Sequence, residues 1–277
     1  MPDKYALNRN CWENYEKAQY SGVGEFDIPQ LKGSNITNIP ELIGFNYVTS
    51  CKDPQNKAVH FFLDDYQFKR VWEEPEKQME RIKKFRCVCS PDFSIYTDFP
   101  KALQIYAHYK KHWVAKMWEE NGIEVIPTIA WGDESTYLWC FDGEPIGGTV
   151  AITSQGTQNN ETAKKLFIKG YKAMCERLKP ETIIFYGKIP KECTGNIVHI
   201  KPFTDKFNIA DLNNRIANGD IDYGDVESMY HSGLGTFLTN NAKTETEGNK
   251  AFAKALAPTY KKWVEDALNG NSAKKAG

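Results

Sequence analysis

Short apolar runs recur along the chain from residue 42 to residue 200: LIGFN (42–46), VHFFLD (59–64), FRCVCS (85–90), EVIPTIAW (124–131), TVAITS (149–154), TIIFYG (182–187) and IVHI (197–200). Each is of strand length and rich in β-branched or aromatic residues, which predicts strands. Helical spacing fills several gaps. Tyr66, Phe68, Val71 and Trp72 precede Pro75, a residue tolerated in a helix's first turn, and Met79 and Ile82 continue the period. Two short helices meeting near Glu74 are therefore predicted. A longer helix is expected after Asp98, a capping residue, with Pro100 in its first turn. Leu103, Tyr106, Ala107, Trp113, Val114 and Met117 recur on it, and Asn121-Gly122 stops it. Another is expected from about Asn160 to Lys179, with Phe167, Gly170, Tyr171, Met174 and Leu178 on one face and Pro180 beyond its end.

Strands alternating with helices imply parallel pairing. The predicted fold is α/β, with a mostly parallel sheet or a (β/α) barrel-like domain over residues 37–203. Residues 1–36 are polar and turn-rich and read as an N-terminal arm. Residues 204–277 read as a loop-rich, partly helical extension, in which Phe252, Leu256, Trp263 and Leu268 mark a final helix. In such folds every strand's carboxyl end lies on one side, and ligands bind there.

Reading the strand ends gives Asn46, Asp64-Asp65, Ser90, Asp92, Trp131, Asp133-Glu134, Ser154, Gln155, Tyr186 and Lys188. Asp64, Asp92 and Asp133 are the candidate catalytic groups, as base or metal ligands. Ser90, Trp131, Ser154, Gln155, Tyr186 and Lys188 are the candidate ligand-binding groups. Each has a blander role available. Alternation along the second run sends Asp64 and Asp65 to different faces, and Asp65 reads as the cap of the helix beginning near Tyr66, leaving Asp64 for a site. Ser-Pro-Asp around Asp92 is ordinary turn chemistry, Trp131 can simply close the core, and Lys188 can be a solvated loop residue. If the carboxylates gather they form an acidic edge whose oxygen ligands would suit Mg²⁺ or Mn²⁺. TSQG (153–156) is too poor in glycine for a dinucleotide or Walker motif.

Composition narrows the classes. The chain has 277 residues, 41% hydrophobic and 13% aromatic, enough for a substantial core. A formal charge of -1 gives no global basic field to recruit nucleic acid or an anionic membrane. No signal-peptide stretch opens the chain and no run approaches the roughly 18 apolar residues of a membrane span, which predicts a cytoplasmic protein. The seven Cys lack CxxC spacing and are expected to be reduced thiols. His108 and His112 lie four apart on the long helix without an HExxH pattern, and read as an exposed pair. No GxSxG nucleophile motif occurs.

VHFFLDDYQFKRVWEEP, CSPDFSIYTDFPKALQIYAHYKKHW, GIEVIPTIAWGDESTYLWCFDGEP and GTVAITSQG, in that order across about residues 40 to 190, resemble the family catalogued as domain of unknown function 4417. The resemblance implies a phage, mobile-element or bacterial setting, the host cytoplasm if phage-encoded, and carries no catalytic residue across. Three readings stay open. One is a hydrolase or transferase acting on a phosphate-containing or glycosidic substrate at the strand ends. Another is a module binding a small molecule, nucleotide or nucleic-acid end without turnover, and the last is a protein interaction factor. The sequence carries no signal for oligomeric state.

Overall fold

Each of the seven apolar runs becomes a parallel strand, and their order in space follows their order in the chain. The computed structural model describes residues 13–158 and 160–202; the expected C-terminal extension and its helix lie outside these. Two short strands, β1 (Gly22–Val23) and β2 (Ile28–Pro29), form an antiparallel hairpin. Then come β3 (Glu41–Gly44), β4 (Lys57–His60), β5 (Cys87–Cys89) and β6 (Val125–Ile126), paired in that order. A second parallel set follows, of β7 (Thr149–Thr153), β8 (Thr182–Tyr186) and β9 (Ile197–Ile200). The registers pair Val59 with Val88, Val88 with Val125 and Ile152 with Phe185. A single bridge, Thr128 to Ala151, joins the two sets.

The sheet curls. In a flat sheet β4 and β8, four strands apart, would be separated by about 19 Å. Instead the rings of His60 and Tyr186 lie 4.8 Å apart and those of Phe62 and Tyr186 5.0 Å. Ala58, Phe62, Cys87, Cys89, Ile126, Ala151, Ile184 and Tyr186 fill the enclosed side, with Leu42 and Ile200 packed against them. The architecture is thus barrel-like, although no β3–β9 ladder forms among the described residues.

The alternate side chains point outward to the helices. Val59, Phe61, Val88 and Val125 meet helices between β4 and β6. These are α1 (Asp65–Phe68), α2 (Arg70–Glu73), α3 (Pro75–Ile82) and α4 (Lys101–Glu120). The break near Glu74 falls where expected, with Pro75 opening α3, and a further break at Lys69 divides the first piece. Helix α5 (Glu161–Leu178) is capped by Asn160, whose Oδ1 accepts from the N–H groups of Thr162 and Ala163, and ends at Lys179 in the left-handed region, φ 47°. Its buried face is the predicted one: Phe167, Gly170, Tyr171, Met174 and Leu178. Each large apolar residue so buried stabilises by about 1.5–3 kcal/mol.

Helix α4 departs from expectation at both start and face. Pro100, not Asp98, sits at its N-cap and no side chain caps it. Leu103 is 51% exposed, while His108, Lys111 and His112 are buried. The cause is a second covering layer. Residues of the chain before β3 lie on this helix: Trp113 Nε1 donates to the Ala18 carbonyl, and the Glu119 carboxylate accepts from the Lys32 and Gly33 N–H groups. Among the described residues no helix is long and apolar enough to cross a membrane. The six described cysteines are free, and Cys11 lies outside the described residues.

Candidate functional site

At the strand ends, most polar side chains are engaged by neighbouring loops. The paired part of β6 ends at Ile126. Beyond it the Ser90 Oγ accepts from the Thr128 N–H at 2.7 Å, and the Ser90 carbonyl accepts from Thr128 Oγ1 at 2.8 Å. Ser154 Oγ donates to the Lys188 carbonyl at 2.7 Å. The Asp133 carboxylate accepts from the Ser135 N–H and hydroxyl, capping a 3-10 turn over Glu134–Leu138. Trp131 packs on Phe167 and lies over Gly170, where a Cβ would come within 2.1 Å of the indole. Gln155 and Lys188 are exposed. Tyr186 is buried inside the barrel.

The adjacent acids Asp64 and Asp65 do not divide between site and cap as expected. Asp64, not Asp65, occupies the N-cap position of α1, yet it is exposed and makes no cap bond. Asp65 is the first residue of the helix, and its carboxylate accepts from the Ser94 N–H and, at 2.7 Å, the Ser94 hydroxyl. Alternation holds only while the strand lasts, and β4 ends at His60. Among the described residues, Asp64, Asp92 and Asp133 do not gather into a group able to hold a metal ion.

Asp92 is different. It follows β5, and burial pushes its carboxyl up from the ordinary 3.8 to about 7, with the Lys111 charge opposing and the Asp65 charge adding to the rise. Inside the barrel, burial holds His60 neutral, its pKa down at about 3. Its Nδ1 accepts from the Phe62 N–H, and the Asn46 Oδ1 nearby is buried without a partner. A small hollow of about 80 Å³ opens beside Asn46, flanked by Arg70 and Arg81.

Behind β5 and β6 lies a cluster that pattern reading missed. The side chains of Lys111 and Glu144 are 2% and 0% exposed and form an ion pair. Lys111 Nζ also donates to the Thr128 carbonyl at 3.0 Å. His112 Nε2 stands 3.1 Å from Glu144 Oε1, and its Nδ1 2.8 Å from the Pro29 carbonyl. His108 Nε2 stands 3.0 Å from the Asp142 carbonyl. The two rings are 4.4 Å apart, and both residues are at most 1% exposed, so the expected exposed pair is a buried one. Burial pushes the Glu144 carboxyl up, but Lys111 and His112 outweigh it and hold it below the usual carboxylate range. The available signal was the i,i+4 histidine pair, which places both rings on one helix face.

Residues 20–204 match the family described as Domain of unknown function (DUF4417), a span that includes every residue of the cluster and of the strand-end edge. The chain is 35% identical over 182 residues to the Gene 1 protein of Mycobacterium phage L5, covering 60% of this chain and 80% of that protein. It is 33% identical over 196 residues to the Gene 1 protein of Mycobacterium phage D29, covering 65% and 73%. No solved structure matches.

Proposed function

Since the chain belongs to the DUF4417 family, with relatives in mycobacteriophages, we propose that it is a phage-type hydrolase or transferase whose proton donor and acceptor is Asp92. The observation that carries this reading is the position and acidity of one carboxyl. Asp92 follows β5 at the carboxyl edge of a parallel sheet, where such folds bind ligands. Its pKa of about 7 keeps both protonation states populated at neutral pH, the condition in which a side chain serves best as general acid and base. Asp64 and Asp133 fall out of this reading, the first because it is exposed and the second because it is a cap.

The substrate class that suits the edge is phosphate-containing or glycosidic, with the exposed Lys188 available to an anion and the host cytoplasm as the working compartment. The experiment is a turnover panel of phosphomonoesters, phosphodiesters and aryl glycosides, followed across neutral pH. Turnover whose pH profile bends near pH 7, and which disappears in Asp92→Asn while circular dichroism is unchanged, is the expected result. No turnover on any of the three classes by intact protein, or full turnover by Asp92→Asn, sinks the reading.

A further inference from the structure

The arrangement behind β5 and β6 holds more acceptors than donors. A carbonyl oxygen can only accept, so the nitrogens facing the carbonyls of Asp142 and Pro29 must carry the protons: Nε2 of His108 and Nδ1 of His112. The remaining nitrogens, His108 Nδ1 and His112 Nε2, then present lone pairs inward. His108 Nδ1 is buried with no partner. His112 Nε2 faces Glu144 Oε1, another acceptor, at 3.1 Å. Glu144 Oε2 is also buried with no partner. Lys111 supplies a donor to Oε1 and to the Thr128 carbonyl, and reaches neither orphan. Buried acceptors left unpaired are costly, and such groups call for an explanation.

The geometry points to a binding site for one first-row divalent transition ion, of zinc type, ligated by His108 Nδ1, His112 Nε2 and the Glu144 carboxylate. Ligand atoms of the three residues all lie within 4.8 Å of one another. Two ligands of a tetrahedral ion with bonds of roughly 2.0–2.1 Å stand roughly 3.3 Å apart, so a small inward movement of the side chains completes the shell. Two histidines and a carboxylate favour zinc-like ions over Mg²⁺, which prefers an all-oxygen shell. The outer shell is already of the right kind. Each histidine's other nitrogen is anchored on a backbone carbonyl, which fixes tautomer and ring orientation, and Lys111 steadies the Glu144 oxygen that the orphan does not use. Negative charge comes from Glu144, held below the usual carboxylate range by Lys111 and His112.

A proton on His112 is the rival occupant. It would bridge His112 and Glu144 Oε1, but it leaves His108 Nδ1 and Glu144 Oε2 unfilled. The site shares no ligand with the Asp92 reading, and either can fail alone.

The test uses tag-free protein stripped with a chelator and titrated with Zn²⁺ or Co²⁺. One equivalent of ion should bind, raise the melting temperature, and with Co²⁺ give visible d–d bands of nitrogen and oxygen ligation. His108→Ala should weaken Co²⁺ binding by about 100-fold or more, with circular dichroism unchanged. Should that variant fail to fold, the unmodified protein decides alone. No bound ion, no melting shift and no Co²⁺ spectrum, or an undiminished Co²⁺ spectrum in folded His108→Ala, overturns the proposal and leaves the proton as occupant.

Discussion

The strand-end edge and the inner face of α4 hold their polar groups in opposite conditions. At the edge, Ser90, Ser154 and Asp133 each find a loop N–H, hydroxyl or carbonyl close by in sequence or space. On α4, His108, Lys111 and His112 are enclosed with Glu144, and two acceptor atoms of that group have no partner. Strand ends are rich in unpaired backbone groups, so a polar residue there is readily absorbed into a cap or staple. Under a covering layer no such partners come free, and each polar group must be answered by another built-in one. Crowding of polar residues at an edge is therefore weak evidence of a site. Enclosure with incomplete bonding is stronger.

The contrast can be broken hardest at Lys111. Lys111→Met leaves the Glu144 carboxylate buried without its ammonium and should destabilise by about 3–5 kcal/mol in urea unfolding with chelator present. Adding Glu144→Leu should restore much of that loss, because removing both charges is far cheaper than removing one. Should the double variant be as unstable as the single one, the pair is not the organising interaction of the enclosed region.

Asp92 should respond with the opposite sign. Its folded pKa, about 7, stands above the unfolded value near 3.8, so the folded state holds the extra proton between those limits. Stability from this group is full below about pH 4 and is lost as pH rises through 7. Asp92→Asn should flatten that slope and gain on the order of 2 kcal/mol at mildly alkaline pH, after allowance for partial exposure. A slope unchanged by the substitution would place the titrating group elsewhere.

Asp64 and Asp65 sharpen the edge. Asp65→Ala removes the acceptor of the Ser94 N–H and hydroxyl and should cost about 1.5 kcal/mol by chemical denaturation. Asp64→Asn, on an exposed carboxylate with no cap bond, should move the unfolding midpoint by less than about 0.5 kcal/mol. Equal effects would mean that Asp64 carries a role its surroundings do not display.

What the sequence disclosed follows the same division. All seven parallel strands and the buried face of α5 were legible, the latter because Phe167, Tyr171, Met174 and Leu178 keep a helical period against one apolar layer, whereas the β1–β2 hairpin was not. The burial of His108 and His112 was not, because it depends on residues 18–33 reaching α4 across more than 80 positions of chain. No local pattern encodes that contact. The placement of Asp64 and Asp65 was hidden for a smaller reason: the strand stops at His60, and two-residue alternation cannot be carried through the bend that follows.

The single bridge between the two parallel sets sets how the barrel breathes. On either side of Ala151 one hydrogen bond runs to the Pro127 carbonyl and one from the Ile129 N–H, whereas β7 and β8 are paired over five residues. A fluctuation that parts the sets along this line breaks fewer hydrogen bonds than one within either set. Such a parting would open the enclosed side that holds the thiols of Cys87 and Cys89, otherwise fully shielded, to a diffusing reagent.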